Sequence, residues 1–290
     1  MKPSLGGCFL LLLYTVALAT FSTGTDHGFG YELLMSKLEA LEDRVTNQEQ
    51  KTQTKIDSIS TGLESLLKFV TSQQSAQQVY DSCDKVPVKV SGLFHIRIGP
   101  QETAQLYCDQ EYDGGGWTVI QRRFDGSVNF YRDWAEYKRG FGSLDGGEFW
   151  LGLDRIHQLT YSAPHEMVVL LEDFEGNSTY AKLERFEVAG EQAGYAVNII
   201  DGFSGPAGDS ITGIRSLKFS TFDRDNDTWP QNCASHFHGA WWYSNCHSSN
   251  LNGKYSKGTT SEYATGMVWY SFRGHHYALK SSKMMIRRKK

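Results

Sequence analysis

No proline falls between Pro3 and Pro87, and from Glu32 to Ser82 the only glycine is Gly62. Proline and glycine are the residues that interrupt helices, so nothing in this stretch stops one long helix. Tryptophan is just as uneven, because all seven follow Gly116. A region without helix breakers thus precedes one rich in glycine and aromatics. The second region, about 200 residues long, suits a single compact domain. Nor is positive charge in excess, with 29 lysines and arginines against 33 acidic residues. At a formal net charge of -4 the chain lacks the basic face of a general nucleic-acid binder, and no nucleic-acid partner is expected. The one basic run, Arg287-Arg288-Lys289-Lys290, reads as a solvated terminus with at most a weak pull on polyanions.

Long hydrophobic runs are missing too. Only Cys8 to Ala19 is apolar throughout, apart from Tyr14 and Thr15, and it falls short of the roughly 20 residues that span a bilayer. It follows Lys2 and ends in Ala17-Leu18-Ala19. A charged start, an apolar middle and a small-residue cleavage site make a secretory signal peptide. Residues 1–19 are therefore expected to be a signal and 20–31 a short N-terminal segment. The mature protein is expected to be secreted and extracellular, with no membrane insertion.

Cleavage would remove Cys8 and leave Cys83, Cys108, Cys233 and Cys246. An even number in an exported chain reads as disulfides, and four cysteines allow three connectivities. Their short spacings favour Cys83–Cys108 and Cys233–Cys246, since each pair then closes a local loop. Each bond should stabilise the fold by about 2–4 kcal/mol, chiefly through the unfolded chain. If both form, no thiol is left for interchain bonding or nucleophilic chemistry.

Residues 32–79 carry a heptad pattern. Leu34, Leu38, Leu41 and Val45 are spaced alternately four and three apart, as are Ile56, Ile59, Leu63, Leu66 and Val70. That is the spacing of a coiled-coil seam. The two halves are out of phase by four residues, a stutter that locally unwinds a supercoil. Between them the seam positions are polar: Gln48, Thr52 and Lys55. A helix with such a stripe cannot bury it alone, so a homo-oligomer is expected, either dimer or trimer.

The region 80–290 reads as α+β, an antiparallel sheet flanked by short helices. Strands are expected at 117–120, 166–171, 179–188, 195–200 and 216–221, each a β-branched or aromatic run bounded by turn residues. Helices are expected at 132–139 and 148–160, the latter with Phe149, Leu153 and Ile156 on one face.

The most informative loop is Asp223-Arg224-Asp225-Asn226-Asp227, whose alternating acids point several carboxylates to one side. Calcium takes six to eight oxygens from carboxylates, carbonyls and water. The loop is no EF-hand, since Thr228 stands where glycine is required and Ala234 where a glutamate should be. A solvated acidic turn and a different calcium loop both remain open at this point. Five of nine histidines fall between His236 and His276. With no H-E-x-x-H pattern, they fit an aromatic pocket beside Trp241, Trp242 and Tyr243 better than a zinc site. No G-x-S-x-G and no P-loop is present, and catalysis is not expected. Of two N-x-[ST] sequons, Asn177 at a glycine-containing turn is the credible glycosylation site, and Asn226 lies inside the acidic loop.

Taken together, several motifs resemble the fibrinogen C-terminal domain family over roughly Ser82 to Arg288. They are Gly114-Gly115-Gly116-Trp117-Thr118-Val119-Ile120-Gln121-Arg122-Arg123, Phe149-Trp150-Leu151-Gly152 and Phe219-Ser220-Thr221. Further along come Asn232-Cys233, Trp241-Trp242, Cys246-His247, Leu251-Asn252-Gly253-Lys254-Tyr255 and Gly266-Met267-Val268-Trp269. The resemblance implies a fibrinogen-like domain preceded by a coiled-coil stalk, and the same two disulfide pairings. It also implies calcium held by Asp225, Asp227 and the carbonyls of Trp229 and Gln231. The family usually has a smaller residue where Gln231 stands, but a carbonyl ligand does not depend on the side chain.

Within that family, ficolins and tachylectins bind acetyl groups of sugars beside the calcium loop. By position, the donors here would be the backbone N–H groups of Asn245 and Cys246, joined by a cis peptide. Phe237, His247, Tyr263, Ala264 and His275 would form the walls. Phe237 and His275 stand where a tachylectin-like pocket has tyrosines, which preserves the apolar slot better than its hydrogen bonds. The absence of a collagen repeat separates the chain from a complete ficolin. The resemblance implies a calcium-dependent lectin for acetylated glycans on microbial surfaces, acting in innate immunity. Two other readings are an angiopoietin-like ligand of a receptor or matrix protein and, third, an enzyme.

Overall fold

The computed structural model describes residues 28–289, which fall into two units, one ending at Leu66 and the other beginning at Leu67. The expected signal, 1–19, lies outside the described residues. A single helix, α1 (Gly28–Gln77), runs for 50 residues through the stretch that lacks proline. Its seam residues are exposed among the described residues, Ile59 by 70% and Leu63 by 66%. In the polar middle, the Thr52 hydroxyl donates to the Gln48 carbonyl one turn back (2.8 Å). That hydroxyl thus satisfies itself locally and offers little to a partner.

The domain's elements follow in chain order: β1 (Val79–Tyr80), β2 (Gly92–Arg97), β3 (Thr103–Asp109), β4 (Trp117–Arg123), α2 (Trp134–Arg139), β5 (Phe141–Gly142), β6 (Phe149–Trp150), α3 (Leu153–Ser162), β7 (His165–Glu172), β8 (Ser178–Val188) and β9 (Val197–Ser204). After a long loop come α4 (Cys233–His236), β10 (Ser249–Asn250), β11 (Gly258–Thr259), β12 (Val268–Trp269), α5 (Tyr270–Arg273), β13 (Tyr277–Ala278) and β14 (Ser281–Arg288). The main sheet runs β1-β2-β3-β4-β14-β7-β8-β9, with β6 joining β4 and β5. Every pair in it is antiparallel except β1–β2.

The last strand is central. β14 inserts between β4 and β7, and its Met284, Met285 and Ile286 are fully buried. This corrects the reading of the basic run as a solvated tail at Arg287, whereas Arg288 and Lys289 are exposed as expected and Lys290 lies outside the described residues. Arg287 lies in the strand, stacks 4.2 Å over the Trp117 ring and donates to Glu166 Oε1 (2.7 Å). It also donates to the carbonyls of Asp113 and Gly115, tying down the glycine run. Gly116 sits there at φ +80°, where a Cβ would come within 2.9 Å of Asp84 Cβ, so this position requires glycine.

Two further expectations change. Phe149 and Trp150 form strand β6, and the helix begins only at Leu153, because Gly152 turns the chain at φ 108°. Residues 216–221 are no strand. Ser216 has φ 62°, and Ser220 and Thr221 make only isolated bridges to Trp241 and Arg224. Tertiary packing wins over β-propensity at that point: Phe219 is buried, stacking on Trp150 and meeting the edge of Trp242 at 5.1 Å. Both expected disulfides, Cys83–Cys108 and Cys233–Cys246, are present.

Candidate functional site

The acidic loop and the aromatic segment meet through the second disulfide. Asn232 caps α4 by accepting from Ser235 N (2.9 Å), and its amide donates to the Thr221 carbonyl (3.0 Å). The Cys233–Cys246 bond then fastens the end of the loop to residues 244–247.

Within the loop the three aspartates separate in role. Asp223 does not join the others: its Oδ1 accepts from Trp134 N (2.9 Å) and the Thr221 hydroxyl (2.7 Å), anchoring the start of α2. Asp225 Oδ1 accepts from Asp227 N (3.1 Å), and Asp227 accepts from Trp229 N and Cys233 N, both at 2.9 Å. Burial, reinforced by the neighbouring Asp225 carboxylate, raises the Asp227 pKa above the usual carboxylate value. The carbonyls of Trp229 and Gln231 accept no hydrogen bond among the described residues. The loop thus carries two neighbouring carboxylates and two carbonyls that accept nothing, oxygens of the kind a hard cation takes. Asn226, by contrast, turns inward, its Nδ2 donating to the Phe219 carbonyl (2.7 Å). Asn177 is exposed on the β7–β8 turn, with Nδ2 against Asp173 Oδ2 (2.8 Å).

The seven residues expected around an acetyl group come together. The Asn245–Cys246 peptide is cis. The backbone N–H groups of Asn245, Cys246 and His247 donate to no group among the described residues. The His247 ring meets Phe237 edge-on at 4.9 Å and lies 5.7 Å from His275. His275 in turn packs on Tyr263 at 5.1 Å, and its carbonyl accepts from Ala264 N (3.0 Å). Ala264 is buried at φ 60°, a left-handed conformation unusual for a residue with a side chain.

Both ring nitrogens of His247 are buried without a hydrogen bond of good geometry among the described residues. Burial, and secondarily His275, pushes its pKa down to about 3, while the nearby Ala264 carbonyl opposes the shift. His247 is therefore a neutral, largely apolar wall at physiological pH. Two further aromatics adjoin these walls: Tyr243, which the sequence already set beside the histidines, lies 5.6 Å from His247, and Tyr270, which sequence reasoning missed, lies 4.7 Å from His275. Only its proximity to the Trp269 motif pointed to Tyr270. Of the other clustered histidines, His236 packs on Trp229 and on the wall residue Phe237 (4.7 Å), His276 on the wall residue Tyr263 (5.2 Å), and His238 on Tyr131.

Residues 75–289 match the family described as fibrinogen beta and gamma chains, C-terminal globular domain. The chain belongs to this family. Human Fibrinogen C domain-containing protein 1 is 52% identical over 188 residues, covering 63% of this chain and 40% of that protein. The mouse protein of the same name is 51% identical over the same span. This chain thus matches about two-fifths of the length of these relatives. Among solved structures, the fibrinogen-like globe domain of human ANGPTL6 is 43% identical with a TM-score of 0.68, covering 71% of this chain and 92% of that one. That of human ANGPTL2 is 40% identical with a TM-score of 0.70, covering 73% and 100%. A lamprey fibrin D-dimer complexed with Gly-His-Arg-Pro-amide is 28% identical with a TM-score of 0.69, covering 88% and 90%.

Proposed function

We propose that the protein is a secreted, calcium-dependent lectin that captures acetyl groups on the glycans of microbial surfaces. The observation that carries this reading is the group of open amides at Asn245 and Cys246, set beside the apolar walls of Phe237, His247 and Ala264. An acetyl carbonyl needs donors and its methyl needs an apolar slot, and a pocket offering both discriminates by chemistry. The neutral His247 ring places no charge against the methyl.

Calcium would be held by Asp225, Asp227 and the carbonyls of Trp229 and Gln231, and would neutralise the paired carboxylates. The loop itself leads into Cys233 and, through the disulfide, into Cys246, so its order is transmitted to the amides. Self-association of α1, as dimer or trimer, would let several weak sites engage one surface, raising avidity without a new contact.

The test is retention of the secreted protein on acetylated or N-acetylglucosamine resin. Retention in calcium, with release by EDTA and by free N-acetyl sugar, is the expected result. No retention in calcium would overturn the lectin reading and favour a second one, a ligand of a receptor or matrix protein. That alternative draws on the likeness to the ANGPTL globe domains and on the peptide held by the lamprey fragment.

A further inference from the structure

A second cavity adjoins the segment that carries the open amides. It holds about 360 Å³ and is lined by Asn245, Cys246 and His247 on one side. The remaining walls come from Asp209 to Ile214, from Ser244, Ser248 and Ser249, and from the apolar Leu217 and Trp242. Phe237, Tyr263, Ala264 and His275 do not line it, so it is separate from the acetyl slot while sharing its central segment. Its size reaches the range of about 300–1,000 Å³ in which small-ligand sites fall.

The walls are rich in hydroxyls, and several have nothing to bond. Ser249 is 1% exposed, and its Oγ is buried without a partner. The hydroxyls of Ser244 and Ser248 have no side-chain hydrogen bond among the described residues. A buried polar group without a partner costs free energy, so Ser249 is a position that a ligand hydroxyl would satisfy. Two other groups are already engaged. Asp209 Oδ1 accepts from Ile211 N (3.0 Å) and Thr212 N (2.9 Å), and Ser210 Oγ lies 2.9 Å from Ser271 Oγ. The bonds from Thr212 and Ile211 outweigh burial and hold the Asp209 carboxyl below its usual pKa, so it is ionised.

The charge balance narrows the ligand. Asp209 is the only ionised side chain on the walls, and no lysine or arginine lines them. Such a cavity disfavours sulfate or carboxylate and suits a neutral ring bearing several hydroxyls. We infer that this cavity is a second subsite, which takes the neutral sugar residue next to the acetylated one in a glycan. The inference rests on the acetyl-binding reading and extends it from a monosaccharide to a linked pair.

The probes are N-acetylglucosamine, its dimer, N-acetyllactosamine, and N-acetyllactosamine sulfated on galactose, titrated in calcium by calorimetry. At least one neutral disaccharide should bind roughly tenfold tighter than the monosaccharide, and the sulfated form should gain nothing. A Cβ at Gly213 would meet no atom within 4 Å, so Gly213→Trp can fill the mouth of the cavity without disturbing the backbone. That variant should keep monosaccharide affinity and lose the disaccharide gain, and Ser249→Ala should lose part of the gain alone. Equal binding of monosaccharide and both neutral disaccharides by the wild type would overturn the inference and leave the acetyl slot standing. So would a full gain retained in both variants. Binding of none of the sugars would overturn the acetyl reading itself, and this inference with it.

Discussion

Ile59 in α1 leaves 70% of its surface exposed, whereas Trp150 in the domain leaves 1%. The two regions therefore solve the same problem differently. The domain buries its aromatics within one chain, around Trp150, Phe219 and Trp242. The helix presents an apolar stripe that stays exposed among the described residues, and tertiary burial rather than propensity stabilises most helices. The domain should accordingly be stable by itself, and the helix should respond to concentration.

The largest effect should come from breaking the domain alone. Cys83→Ser with Cys108→Ser opens a loop with a sequence separation of 25 and should cost about 3 kcal/mol. Chemical denaturation would show an earlier midpoint for the domain, with the helical signal of α1 unchanged. An unchanged midpoint would mean that the sheet alone holds this end. The reverse experiment breaks the stripe. Leu38→Glu with Leu63→Glu should give a monomer by light scattering and weaken capture on a multivalent surface about 100-fold, while single-site sugar affinity stays constant. An unchanged oligomer would move self-association to the domain.

A finer test separates the calcium loop from the fold. Asp225→Ala should lower calcium affinity at least about tenfold without altering thermal stability in EDTA, because Asp225 accepts only one loop amide. Asp227→Ala should do the same but cost some stability as well, since Asp227 accepts from both Trp229 and Cys233. Wild-type calcium affinity in either variant, measured by titration, would contradict the assignment.

A last effect concerns pH. His247 is neutral in the folded state, its pKa lowered to about 3, whereas in the unfolded chain it titrates near the ordinary value of 6.5. Between these values the unfolded state binds more protons, so stability rises with pH and falls on acidification. The slope from this group should be at most about 1.4 kcal/mol per pH unit. His247→Phe should flatten the loss of thermal stability between pH 6 and pH 4 by roughly this slope. An identical slope in the variant would place the acid sensitivity elsewhere.

The helix was legible in the sequence because a missing residue type and a repeated spacing are local properties. The clustering of Phe237, Asn245, Cys246, His247, Tyr263, Ala264 and His275 was legible only through the motifs that carry the family resemblance. What escaped depends on contacts distant in sequence. Asp223 looks like its neighbours along the chain, yet it serves α2 through Trp134, 89 residues away. Residues 216–221 have strand composition but lie where Phe219 must enter the aromatic core. Arg287 belongs to an apparent basic tail, and only the insertion of β14 between β4 and β7 reveals it as a strut beneath Trp117.

The most direct test of the central claim is to follow the backbone amides of Asn245, Cys246 and His247 by NMR during titration with N-acetylglucosamine. In calcium these resonances should shift saturably with the sugar, EDTA should abolish the shift, and glucose, which lacks the acetyl group, should produce none. Shifts that are absent in calcium, or that glucose reproduces, would contradict an acetyl-binding site at these amides.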